Sequence, residues 1–203
     1  MQFFSNFKTF LSIPLFYTLF TKLIGGDFRQ LFVNRYLKPV DEDKIFDIGC
    51  GTADIVQYLP DVHYIGIDIS QKYIDYAKKH FGSKGTFLCQ DFSTLHTNDM
   101  PPFDIVLAHG VLHHLNDKEA LSLFSIAKSL LKNSGRLVTL DGCYTEDQRT
   151  FARFVLSKDR GKYVRTKEQY LRLAYKYFQN IDITIRHDLI RIPYTHIIME
   201  CTP

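Results

Sequence analysis

The 203-residue chain has no tryptophan and only four cysteines, Cys50, Cys89, Cys143 and Cys201. The four are scattered, with no Cys-x-x-Cys pair and no Cys/His ligand spacing, which argues against a zinc site and a disulfide framework. They read as reduced thiols, mostly buried, in a cytoplasmic protein. Charge of one sign is lacking too: 25 Lys and Arg stand against 22 Asp and Glu, leaving +3. That balance is too mild to point to a nucleic-acid partner by itself. No apolar run reaches the roughly 20 residues that span a bilayer. The longest near the N-terminus covers 9–20, contains Pro14 and is bracketed by Lys8 and Lys22. No small-x-small cleavage site follows it, so a removed leader is not indicated. Internal repeats, low-complexity linkers, a metal-ligand set and an added nucleic-acid module are absent as well.

What is present suits one domain with a substantial core. Phe3, Phe4, Phe7, Phe10 and Leu11 have helical spacing, so residues 1–38 are expected to form a helical segment. That segment either packs on the domain alone, or also lids a pocket or touches a membrane surface peripherally. From Lys44 onward, strands and helices alternate. Strands are expected at 44–48, 62–67, 86–89, 103–108, 136–140, 181–186 and 196–201. A helix is expected to start near Thr52, and another, capped by Ser70, to run to Phe81. Asn116 with Glu119, and Thr166 with Gln169, read as capping boxes for helices running to 131 and 178. The alternation predicts an α/β fold: a seven-stranded, mostly parallel sheet with helices on both faces. The last two strands are joined by only a short turn around Pro193, so they must form an antiparallel hairpin.

In such sheets ligands bind outside the carboxyl ends of the strands. Asp47-Ile48-Gly49-Cys50-Gly51 lies at the first of these ends, where glycines permit a tight turn and bring backbone N–H groups close to a ligand. Asp68 closes the second strand, where a carboxylate can accept both hydroxyls of a ribose. Asp91 closes the third, followed by Phe92 as a candidate adenine neighbour. Asp47 either organises the turn or faces a cofactor ammonium group directly or through water. A nicotinamide-dinucleotide site wants a third glycine where this chain has Asp54, whose carboxylate would repel a diphosphate.

With these pieces in place, the chain from about Val33 to Pro203 resembles the class I, Rossmann-like S-adenosylmethionine-dependent methyltransferases. The resemblance rests on Phe46-Asp47-Ile48-Gly49-Cys50-Gly51-Thr52-Ala53, Ile65-Gly66-Ile67-Asp68-Ile69-Ser70 and Gln90-Asp91-Phe92. It continues through Phe103-Asp104-Ile105-Val106-Leu107, His113-His114-Leu115 and the segment from Leu130 to Leu137. It implies S-adenosyl-L-methionine as cofactor, with Gly49 and Gly51 at its methionine portion, Asp68 at the ribose, Ile69 against one face of adenine and Asp91 at the adenine amino group. Cys50 belongs to the same turn, and a backbone contact is implied near His109. By a looser likeness to quinone-type methyltransferases, Tyr17 is a further candidate.

A methyl sulfonium is reactive by itself, so the protein mainly aligns an acceptor and excludes water. An oxygen or nitrogen acceptor must also lose a proton. His109 and His113 are the candidate bases, against the reading that the paired histidines only start a helix. His114, Asp141, Tyr144 and Tyr194 are the candidate acceptor-facing residues, with His196 near the same mouth. An acceptor-side insertion at 142–165 carries Arg149, Arg153, Lys158, Arg160, Lys162 and Arg165 among Phe151, Phe154 and Tyr163. It suits an anionic or amphiphilic acceptor, or is a solvated face whose cations cover apolar surface. The fourth strand is followed by Ala108-His109-Gly110-Val111 rather than Asn/Asp-Pro-Pro-Tyr/Phe, which argues against planar bases and glutamine amides as acceptors. A small-molecule acceptor is favoured, with tRNA or protein, or cofactor binding without turnover, as alternatives.

Overall fold

The computed structural model describes residues 28–159 and 161–203. The expected N-terminal helix, Tyr17 and Arg160 lie outside the described residues.

Eight strands form one sheet: β1 (Lys44–Ile48), β2 (His63–Asp68), β3 (Thr86–Cys89), β4 (Phe103–His109), β5 (Leu131–Tyr144), β6 (Arg165–Thr166), β7 (Asn180–Arg186) and β8 (His196–Thr202). Their order is β3-β2-β1-β4-β5-β8-β7, with β6 paired to the end of β5. The first five strands are mutually parallel, while β8 runs antiparallel to both β5 and β7. The expected architecture is therefore present, with one short strand more than the sequence indicated. Five α-helices are described: α1 (Phe28–Phe32), α2 (Gln71–Phe81), α3 (Asp117–Leu130), α4 (Thr150–Ser157) and α5 (Lys167–Ala174).

Alternation along the strands feeds two cores. In β1, Phe46 and Ile48 face one core and Ile45 the other. The first core packs β1 and β4 against Ala120, Leu123, Phe124, Ala127 and Leu130 of α3, together with Tyr170 and Leu173 of α5. Those α3 positions recur at three and four residues, the stripe a helix needs to lie on a sheet. The second core packs Ile105, Leu107 and Val138 against Phe32 of α1 and Ile74 and Ala77 of α2. Fully buried side chains such as Phe124 and Ile74 each stabilise the fold by roughly 2 kcal/mol.

Both predicted capping boxes form. Asn116 Oδ1 accepts from the Glu119 N–H while Glu119 Oε2 accepts from the Asn116 N–H. Thr166 and Gln169 do the same for α5, which ends at Ala174, before the predicted 178. Ser70 precedes α2 without a side-chain cap bond. Helix α1 runs directly into a π-helical turn, Val33–Leu37, closed by Lys38 in the left-handed region. Arg136 from β5 donates to the freed carbonyls of Leu37 and Lys38. Among the described residues, no helix is long and apolar enough to cross a membrane.

Candidate functional site

The glycine turn after β1 is held from beneath. The N–H groups of Gly49 and Cys50 both donate to the Ile67 carbonyl of β2, at 2.8 and 2.9 Å. Gly49 (φ +74°) passes so close to the loop after β4 that a Cβ there would lie 2.6 Å from Val111 Cγ2. Gly51 (φ +55°) differs, since a Cβ on it would meet nothing within 4 Å. One glycine is needed for packing, and the other leaves open space above the turn. Ala53 is also left-handed (φ 54°), so the chain does not enter an α-helix at Thr52 as predicted. A five-residue 3-10 helix, Asp54–Tyr58, follows instead. Asp54 is buried, accepts from the Thr52 hydroxyl at 2.9 Å and lies 3.9 Å from Arg29 of α1. Its carboxylate thus fastens α1 to the turn.

Asp68 reaches back across the turn: Oδ2 accepts from the Gly51 N–H at 3.0 Å and Oδ1 from the Ser70 N–H at 2.8 Å. Burial raises its pKa against those two bonds. Asp47 lies deeper. The Tyr64 hydroxyl donates to its Oδ2, while Oδ1 is buried with no hydrogen-bond partner. Burial first, helped by the Asp68 charge and opposed by Tyr64, pushes Asp47 up to about 7. Tyr64 reaches Asp47 because Gly66 pairs with Asp47 in register, and a Cβ at 66 would meet both the Tyr64 ring and Cys50 Sγ. Cys50 is buried enough that its thiol stays protonated, its pKa driven upward by burial and by Asp47 and Asp68. Ile69, although apolar, is 76% exposed beside this carboxylate pair. Asp91 is exposed at the sheet edge, its Oδ1 accepting from the Ser93 N–H, and Phe92 packs partly against the first core. The structure brings Asp47, Gly49, Cys50, Gly51 and Asp68 into one cluster, with Asp91 further out, beyond the end of β3.

A second cluster lies beyond β4. His109 stacks on Phe32 of α1 (ring centroids 5.6 Å, 24°) and meets Phe28 edge-on. Burial, then the nearby charges of Arg29, His196 and His113, lower it to about 3. A residue so reluctant to take a proton is a poor general base. His113 has a different setting. Its Nδ1 lies 2.8 Å and its backbone N–H 3.1 Å from Asp141 Oδ1 of β5, and its Nε2 lies 3.4 Å from Asp159 Oδ1. Asp141 is buried, and its Oδ2 has no hydrogen-bond partner. Burial raises Asp141 while His113 opposes the rise. Tyr194 donates to Asp159 Oδ2 at 2.7 Å, and its ring lies 4.6 Å from that of His196 at a 45° tilt; burial lowers His196 to about 4.

The insertion closes over this cluster. Gly161 lies against the His113 ring with no room for a side chain, and the Tyr163 N–H donates to the His113 carbonyl. Arg165, expected as a lid cation, is instead a buried clamp. It donates to the carbonyls of Leu112, Leu115 and Tyr163 and makes two bonds to Asp117 Oδ1. Helix α4, absent from the sequence expectation, buries Ala152 and Leu156 and exposes Phe151 and Phe154. Tyr144 is half-buried beneath Arg153, and His114 is exposed with its ring 4.2 Å from that of His113. Asp159, Tyr64 and the aromatic wall of α1 carried no sequence signal, because each acts through a contact more than ten residues away. Among the described residues, no group of three or more His, Cys, Asp or Glu is placed to hold a metal ion.

Residues 45–135 match the family model described as a methyltransferase domain. The chain is 33% identical over 119 residues to the mouse eEF1A lysine and N-terminal methyltransferase, covering 55% of this chain and 16% of that protein. It is 28% identical over 141 residues to the Triticum aestivum phosphoethanolamine N-methyltransferase, covering 66% of this chain and 27% of that one. It therefore spans less than a third of the length of either relative. Among solved structures, human N-acetylserotonin methyltransferase in complex with SAM superposes with a TM-score of 0.66 at 18% identity, covering 88% of this chain and 52% of that one. The matched region, 45–135, is similar to a methyltransferase domain and holds the glycine turn, Asp47, Asp68 and the His109–His113 loop, and the chain shares the Rossmann-like fold of its methyltransferase neighbours.

Proposed function

We propose that the chain binds S-adenosyl-L-methionine at the glycine turn and transfers its methyl group to a small-molecule acceptor. The observation that carries the reading is the open space at Gly51, whose N–H is held by Asp68, together with a second carboxylate in the turn, Asp47, whose buried Oδ1 has no hydrogen-bond partner. These residues fit the cofactor. A cationic ammonium group suits the unpaired carboxylate oxygen, ribose hydroxyls suit Asp68, and the exposed Ile69 offers an apolar surface for adenine. Asp91 is assigned to the adenine amino group and Phe92 to its surroundings, with Cys50 and the His109 backbone completing the wall. The bound cofactor supplies a methyl group already activated on a sulfonium.

The acceptor side is assigned to His113, Asp141, Tyr144 and Tyr194, with His114 at the rim. With Nδ1–H donating to Asp141, the lone pair of neutral His113 resides on Nε2, the tautomer a proton acceptor needs. This geometry favours His113 over His109 as the base. His113 and Tyr194 are each only 8% exposed beneath the insertion, an enclosure that suits a small acceptor better than a macromolecular one. By their names, the relatives include enzymes acting on both kinds, the wheat protein on phosphoethanolamine and the mouse protein on eEF1A. A methyl-transfer assay with labelled cofactor across a metabolite library tests the reading. Transfer to at least one small acceptor, lost in His113→Gln, supports it, and transfer to protein alone refutes the acceptor class.

A further inference from the structure

His113 is held by two carboxylates from different parts of the chain. Asp141 comes from β5, inside the fold. Asp159 comes from the insertion and is itself held there: its Oδ1 accepts from the Gly161 N–H at 2.7 Å and its Oδ2 from the Tyr194 hydroxyl. The same loop rests Gly161 on the imidazole and donates from Tyr163 to the His113 carbonyl. We infer that Asp159 is the positioning residue for His113: by facing Nε2 from the insertion, it favours the protonated imidazole and ties that state to a seated loop. The inference rests on the methyltransferase reading for its place in a reaction, though not for the coupling itself.

Among the described residues, the titratable groups near His113 are Asp141, Asp159, His109, His114, Tyr194 and His196. Asp141 at Nδ1 fixes the tautomer and is buried at the end of the sheet. His196 on β8 and His109 at the end of β4 are both pushed down by burial first, and so stay neutral beside it. Tyr194 keeps its proton, its pKa raised by burial and by Asp159. His114, on the same turn, is exposed to water. Asp159 faces Nε2 from the insertion rather than from the sheet. Burial would raise it, but His113, the Gly161 N–H and Tyr194 outweigh that and hold it below the ordinary carboxylate range.

During transfer, the acceptor's lone pair forms the new bond to the methyl carbon, and the electron pair of the broken carbon–sulfur bond remains on sulfur. The acceptor's proton moves to His113 Nε2. The resulting imidazolium then lies between Asp141 and Asp159, and it returns the proton to water after transfer. An opposite charge at this distance favours the charged form, typically by tenfold or more in proton affinity.

The test is an NMR pH titration of the histidine ring signals in the full chain, with His113→Gln assigning the resonance. In Asp159→Asn, His113 should bind its proton about tenfold more weakly than in the wild type. The Gly161 and Tyr163 amides should exchange faster, and Asp159→Glu should restore both readouts. Asp159→Ser, which keeps an acceptor for Gly161 and removes the charge, substitutes if the asparagine variant fails to fold. Identical midpoints in the wild type and the charge-free variant would overturn the inference. S-adenosylhomocysteine binding is measured on the same samples. Its absence from the wild type, with the coupling intact, contradicts the cofactor reading alone.

Discussion

At Asp47, burial and the charge of the proposed ligand would pull a proton in opposite directions. The carboxyl is pushed up to about 7, whereas a cofactor ammonium beside its unpartnered oxygen favours the ionised form. Below that pH the ligand must displace a proton; above it, it need not. Affinity for S-adenosylmethionine should therefore rise as pH increases from 6 to 8, and Asp47→Asn should flatten the dependence. Calorimetric titrations at several pH values check this, and a flat wild-type profile speaks against the contact. The two turn glycines separate packing from binding. Gly49→Ala drives a Cβ into Val111 and should lower stability by about 2–3 kcal/mol. Gly51→Ala meets no protein atom, so it should cost only the left-handed backbone strain, about 1 kcal/mol, while blocking the cofactor. Urea melts alongside binding isotherms distinguish the two. If Gly51→Ala binds cofactor as tightly as the wild type, the open space is not the site.

Among the elements, legibility followed the range of the interactions. The capping boxes at Asn116 and Thr166 were readable because both partners lie three residues apart. The parallel strands were readable from their apolar runs, and the hairpin from its short connection. The helix expected near Thr52 starts instead at Asp54 and is a short 3-10 turn, a form that was not readable because Ala53 adopts the left-handed region without the glycine that announces it. The insertion was misread in part for the same reason. Its charges suggested a solvated or anion-facing lid, yet Arg165 turns inward to carbonyls of the His113 turn, a choice set by tertiary contacts. Arg165→Lys keeps the charge but loses the planar fork that satisfies four groups together. It should cost about 2–3 kcal/mol, seen as a lower urea midpoint at unchanged slope. A shift below about 0.5 kcal/mol would deny Arg165 the role of clamp.

For the whole molecule, the buried histidines set a response to acid. His196 is held near 4, below the 6.5 of an exposed imidazole, so the unfolded chain binds the proton first. Its contribution to stability is complete above about pH 6.5 and is lost as pH falls towards 4. The raised Asp47, protonated in the fold between about 4 and 7, works in the opposite sense, so the wild-type curve alone is not diagnostic. The comparison is. Relative to the wild type, His196→Phe should gain about 2 kcal/mol between pH 7 and pH 5, read from paired denaturant melts. A pH-independent difference would place His196 outside the buried, neutral state.

The sheet order, the strand-end acids and the glycine turn converge on one claim, that the turn after β1 holds S-adenosylmethionine. Calorimetry with S-adenosylmethionine and S-adenosylhomocysteine, on the full chain and on Asp68→Ala, tests it most directly. The variant removes both the proposed ribose partner and the acceptor that fixes the Gly51 N–H, so binding should weaken at least tenfold, about 1.4 kcal/mol or more. A single site in the wild type with that loss in the variant is the predicted result. No binding by the wild type, or equal affinity in Asp68→Ala, would contradict the account.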